Sequence, residues 1–229
     1  MQRHFDHDLA QLKDHLLRMG AMVEHQIQRA LESLVERDSD TAISVIERDH
    51  EVNALDVEID DTCIKLLATQ QPTARDLRFV STAMKISSEL ERMGDLADNI
   101  AQRALELNGE PQLKPYIDIP RMANWTMRMV KECLDAFVNS DPVLARKVCV
   151  DDDVVDSINE QLFRELLSFM LENPATITRA IRLTFVAKSL ERIADHATNI
   201  AEEIIYLAEG RDVRHQHKTT PPPANGTPA

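Results

Sequence analysis

Residues 89–101 read ELERMGDLADNIA, and residues 189–201 read SLERIADHATNIA. Between positions 90–101 and 190–201, eight of twelve residues are identical. Around the first phrase, Ile86, Leu90, Met93, Ala97, Ile100, Ala104 and Leu107 recur at alternating steps of four and three. Val186, Leu190, Ile193, Ala197, Ile200, Ile204 and Leu207 repeat the spacing position for position. Such a seam belongs to a helix packed lengthwise in a bundle.

The duplication extends outward from these phrases. At an offset of 103, Met19 matches Met122, Leu31 matches Leu134, Asp38 matches Asp141, Asp49 matches Asp152 and Val52 matches Val155. The final helices align at an offset of 100, so the slippage falls in the turn before them, where length changes are tolerated. Proline and glycine punctuate the rest. Asp141-Pro142 and Asn173-Pro174 read as N-caps followed by a proline at the first helical position, and Asp38-Ser39-Asp40 carries similar capping chemistry. The marks predict six amphipathic helices over 5–36, 39–69, 73–108, 118–139, 142–172 and 175–209, with Pro72 in the turn before the third. The fold class is therefore all-α, two tandem antiparallel three-helix bundles related by internal duplication. The first bundle takes residues 1–109, a proline-rich linker 110–120, and the second bundle 121–210. The polar end, 211–229, reads as a disordered tail.

Composition agrees and excludes several classes. Only 5 Gly and 6 Phe occur in 229 residues, which favours helix over sheet. A formal charge of −13 repels nucleic acid and anionic lipid as a whole-molecule field. No apolar run approaches a membrane span, and the polar start MQRHFDHDLAQL is unlike a secretory signal. Cys63, Cys133 and Cys149 sit at apolar helical positions without C-x-x-C spacing and read as reduced core thiols. Trp125 matches Met22 across the repeat and reads as core packing.

Acidic stripes run beside the seams. Glu91, Asp95 and Asn99 share one helix face at i, i+4, i+8, and Glu191, Asp195 and Asn199 do the same. On the preceding helix Asp49, Asn53, Asp56 and Asp60 form a stripe whose matches are Asp152, Asp156, Asn159 and Phe163. Carboxylates at i, i+4 repel by a few tenths of a kcal/mol. A bound cation reverses that cost. Two readings stay open on spacing alone: a solvated charged surface, or a ligand set of hard oxygens suited to Mg, Mn or Fe rather than zinc. Arg92 and Arg192 are expected to pair with Asp95 and Asp195 at i+3. His50, His196, His215 and His217 show no repeated ligand spacing and read as surface residues. A ferritin-type di-iron oxidase needs two Glu-x-x-His motifs, and only Glu47-x-x-His50 fits. No nucleophile–base pair or glycine-rich phosphate loop points to catalysis, or to an organic cofactor.

The paired phrases LERMGDLADNIA and LERIADHATNIA, with MGAMVEHQIQRAL, VIERDHEVNALDVEID and QPTARDLR, resemble the PhoU family of phosphate-transport accessory proteins. The likeness runs from about residue 5 to 212. It implies a cytoplasmic, non-enzymatic negative regulator of phosphate uptake, peripheral to the inner face of the membrane through its partners. Those partners would be the phosphate transporter's ATPase subunit and a sensor histidine kinase, with homodimers common and nucleic acid absent. It also implies metal ligation by an E(D)-x-x-x-D motif, falling here on Glu91/Asp95 and Glu191/Asp195 with Asp49/Asn53 and Asp152/Asp156 beside them. The candidate metal residues are thus Asp49, Asn53, Asp56, Glu91, Asp95, Asp152, Asp156, Asn159, Glu191 and Asp195. Arg92, Asn99, Arg192 and Asn199 are candidates for a partner interface. Asn53, Asn99 and Asn199 depart from the strictly acidic pattern and lower the charge of the sites.

Overall fold

The computed structural model describes residues 2–70 and 73–210. Pro72, His215, His217 and the stretch 211–229 lie outside the described residues. Six α-helices follow one another: α1 (Gln2–Val35), α2 (Ser39–Gln70), α3 (Ala74–Asn108), α4 (Asp118–Asn139), α5 (Pro142–Glu172) and α6 (Ile177–Glu209). Capping chemistry sets their starts. The Asp38 carboxylate accepts from the Thr41 amide and hydroxyl at 3.1 and 2.6 Å. Asp141 accepts from the amides of Val143 and Leu144, and Pro142 needs no partner at the first helical position. Asn173-Pro174 opens a 3-10 turn, Pro174–Thr176, before α6 begins. That turn delays α6 by two residues relative to the predicted 175.

Left-handed residues end three helices, Arg37 at φ 59° after α1, Ser140 at φ 51° after α4 and Gly210 at φ 69° after α6. Arg37 also donates to the carbonyls of Leu107, Asn108 and Glu110, at the end of α3 and just beyond it. Arg37→Ala removes all three charged bonds, and we expect about 2 kcal/mol of lost stability in urea denaturation.

The two apolar seams face inward as their spacing requires. Every seam residue named above is buried except Leu207, which is partly covered. Helices α1, α2 and α3 pack together, as do α4, α5 and α6. The two bundles then join side by side, α3 against α6 and α1 against α4, around one continuous core. Gly20 makes the second of these contacts, because a Cβ there would stand 2.7 Å from Leu134 Cδ1.

The join at 109–117 is pinned rather than loose. Lys114, 9% exposed, reaches Asp118 at 3.4 Å and also pairs with Glu165. Arg182 pairs with Glu106 at 2.7 Å and with Glu110. Helix α4 starts at Asp118, so Pro120 sits in its first turn, where the missing N–H costs nothing. The three thiols are buried and unpaired with one another, and burial pushes Cys63 and Cys149 up to about 12. They are inert at neutral pH.

Candidate functional site

Helix α2 lies along α3, and α5 lies along α6, so each pair of predicted acidic stripes becomes one face. Asp49, Asn53, Asp56 and Asp60 are half-buried on α2, and Glu91 is half-buried on α3. Their charges act on one another across the two helices. Burial raises the Glu91 carboxyl above its usual range, and Asp95, Asp56 and Asp49 raise it further. Burial and then Asp49 raise Asp95 in the same way. Asp56 is held by the Ser87 hydroxyl of α3, which donates at 2.6 Å. Asn53 donates to Asp49 at 2.9 Å, so its amide relieves part of the repulsion that a second carboxylate would add.

On α5 and α6 the same construction recurs. Burial first, then Asp195, Asp156, Asp153 and Glu191, push the Asp152 carboxyl up to about 7. Asp195 and Asp156 are exposed, whereas Asp152, Asn159 and Glu191 are half-buried. Lys188 offsets one charge, pairing with Glu191 at 2.5 Å. Phe163, the match of Asp60, is exposed and ends the stripe.

Several oxygens on these faces lack a hydrogen-bond donor although buried. They are Asp49 Oδ1, Asn53 Oδ1 and Asp98 Oδ1 on the first face, and Asp152 Oδ1 and Glu191 Oε2 on the second. Each such atom costs about 1–3 kcal/mol relative to a satisfied one. Hard, oxygen-only donors fit Mg, Mn or Fe, and the half-buried members of both candidate sets fit that chemistry. Among the described residues, no three Asp, Glu, His or Cys side chains converge closely enough to clasp an ion as they stand.

Asp98 was not among the residues predicted from sequence. It is half-buried, and its carboxyl is raised by burial, Asp49 and Asp95 against a bond from Gln102. Gly94 faces α1 and α2 at this point: a Cβ would meet Gln26 Oε1 of α1 at 3.3 Å and Asp49 Oδ1 of α2 at 3.7 Å. Its match, Ala194, carries that methyl in the second repeat.

The candidate interface residues lie along the contact of α3 with α6, and two expectations fail there. Arg92 turns back to Glu89 at 3.5 Å rather than forward to Asp95, because Glu89 is the less exposed acid and lies at the helix contact. Arg192 makes no ion pair among the described residues. His196 is not a surface residue: it is buried, with Nδ1 2.6 Å from Glu89 Oε2. Asn199, exposed at the edge of this contact, donates to the same carboxylate at 2.9 Å. Burial alone would raise Glu89, but His196, Asn199 and Arg92 together bring it below its usual range. Lys85 and Glu203 continue this antiparallel contact at 2.9 Å. At its other end Asn99 and Arg192 line a cleft of about 380 Å³ with Arg103 and Lys188. Each Arg thus stands near the Asn of the opposite repeat, a relation that neither helix shows by itself.

Known proteins place this arrangement. The PhoU domain matches twice, over residues 16–104 and 119–204. The phosphate-specific transport system accessory protein PhoU homolog of Aquifex aeolicus (strain VF5) is 45% identical over 210 residues, 92% of this chain and 95% of the relative. The PhoU accessory protein of Escherichia coli (strain K12) is 37% identical over 211 residues, 92% and 88% of the two chains. The crystal structure of PhoU from Pseudomonas aeruginosa superposes with a TM-score of 0.88 at 39% identity, covering 90% of this chain and 100% of the other. That of the phosphate transport system regulatory protein PhoU from Streptococcus pneumoniae gives 0.86 at 31%, covering 91% and 99%. On sequence, repeat and superposition alike, this chain belongs to the PhoU family.

Proposed function

We propose that this protein is a non-catalytic adaptor that restrains phosphate uptake and phosphate-starvation signalling. It works at the inner face of the membrane by linking the ATPase subunit of a phosphate transporter to a sensor histidine kinase. The family carries the transport half of this reading, since the relatives are named as accessory proteins of the phosphate-specific transport system. Among the described residues no helix is long and apolar enough to cross a membrane, so attachment through protein partners suits the chain.

The observation that carries the site is the pair of acidic faces, each with buried oxygens left without donors. Asp49, Asn53, Asp56, Glu91 and Asp95 would hold Mg, Mn or Fe on the first face, with Asp98 as an added ligand. Asp152, Asp156, Asn159, Glu191 and Asp195 would do so on the second. A bound cation supplies positive charge that removes the repulsion among these carboxylates. The chain's own part is to hold the oxygens on two neighbouring helices and keep them partly out of water.

Charge at an interface sets specificity and association rate, and its effect weakens with salt. Reversing Glu91, Asp95, Glu191 and Asp195 to Lys is therefore expected to preserve helical content, because none of them builds the seam. The same change should switch on phosphate-starvation genes in phosphate-rich medium. A folded quadruple variant that still silences those genes places the regulatory surface elsewhere.

A further inference from the structure

We propose that the cleft between α1 and α2 binds a partner's polypeptide segment that presents an aromatic side chain flanked by carboxylates. The cleft measures about 580 Å³, within the range of sites that enclose a bulky side chain or small ligand. Ala21, Met22 and Val45 give it apolar walls, and Arg18, Arg29 and Arg48 surround them with a single carboxylate, Glu51. That cationic rim stands on a chain of net charge −13. Gln26, 7% exposed, also lines the cleft, with its Oε1 turned inward toward Gly94 of α3.

The second repeat shows what such a place accepts. There Trp125 stands where the first repeat has Met22, and Arg128, the match of His25, lies 3.7 Å over the indole. Arg128 reaches Asp151 at 3.1 Å, and Lys147 bridges Glu132 and Asp151 at 2.5 and 2.8 Å. Glu132 and Asp151 match Arg29 and Arg48. The second repeat therefore covers the position with its own aromatic ring, and its cations and carboxylates neutralise one another. In the first repeat the ring is missing and the carboxylates are replaced by arginines. An incoming aromatic residue with acidic neighbours restores both.

Arg29 and Arg48 now pair within their own helices, with Glu32 at 2.7 Å and Glu51 at 2.9 Å. Exposed pairs of that kind contribute little and exchange readily for a carboxylate in a less hydrated contact. Arg18 makes no ion pair among the described residues. The inference deepens the adaptor reading by naming the chemistry of one partner, and it rests on that reading only for the partner being a protein.

A labelled peptide, Asp-Glu-Trp-Glu-Asp, tests it by fluorescence anisotropy with the purified chain at low salt. It should bind at least about tenfold more tightly than Asp-Glu-Ala-Glu-Asp or Lys-Lys-Trp-Lys-Lys. Met22→Trp with His25→Arg copies the ring of the second repeat, and Arg29→Glu with Arg48→Asp copies its charges. Each pair should weaken the peptide by about tenfold or more while circular dichroism stays unchanged. No binding to the wild-type chain overturns the proposal, as do two folded variants that bind normally or a cleft that prefers a nucleoside diphosphate. The assay uses no gene-expression readout, so its failure is distinguishable from failure of the regulatory reading.

Discussion

Leu190→Asp is expected to lower stability by about 3–5 kcal/mol, the penalty for an uncompensated buried charge. Leu190 is fully buried in the α6 seam, and its carbonyl accepts from the Thr126 hydroxyl of α4 at 3.4 Å. Its seam neighbours Val186 and Ile193 are buried and apolar, so the new carboxylate must either stay protonated or open the bundle. Domains hold about 5–15 kcal/mol in total, so one such change consumes a large share. Phe163→Asp supplies the control. Phe163 is 49% exposed and the substitution restores the residue found at its match, Asp60, so the change should stay within about 0.5 kcal/mol. Urea or thermal unfolding reads both. An unmoved midpoint for Leu190→Asp refutes the seam.

Asp152→Asn should act in opposite directions on stability and on cation affinity. The folded protein holds the Asp152 carboxyl near 7, above the ordinary value of 3.8. Below that ordinary value both folded and unfolded chains carry the proton, and no penalty arises. As pH rises from about 4 to about 7, the unfolded chain ionises first, so the folded state loses stability across that window. Above about 7 the loss is complete.

In EDTA at pH 8 the Asn variant should therefore be more stable than wild type by about 1–2 kcal/mol. This is less than the full charge penalty, because the carboxyl stays partly in water. At pH 4 the two should coincide. Added Mn or Mg should then stabilise wild type more than the variant, since a ligand stabilises only through the affinity it loses here. An Asn variant that is less stable than wild type at pH 8 in EDTA refutes mutual repulsion at this face.

Helix number, order and ends were legible because their determinants are local. Asp38, Asp141 and Asn173 cap in their own turns, and the seams repeat within single helices. That the helices carrying the stripes lie side by side was legible too, since α2 and α3 are consecutive, as are α5 and α6. What sequence hid depends on contacts between repeats. His196 was read as a surface residue because its partner, Glu89, lies 107 positions away on α3, and its match in the first repeat is Leu96. Asp98 escaped for a related reason: its match is Thr198, so a search for residues kept in both copies passes over it. Arg92 had acids on both sides, and only the packing of α6 makes Glu89 the better partner.

The antiparallel contact of α3 with α6 has a wider consequence. In a dimer of identical halves, the two ends of that contact would be the same by symmetry. Fusion into one chain removes the constraint, and the ends here have diverged. One is closed by Glu89, His196 and Asn199, while the other is an open cationic cleft at Asn99 and Arg192. The molecule consequently has a direction. A bridge with a direction can hold two unlike neighbours in a fixed order, which a symmetric pair has no means to do.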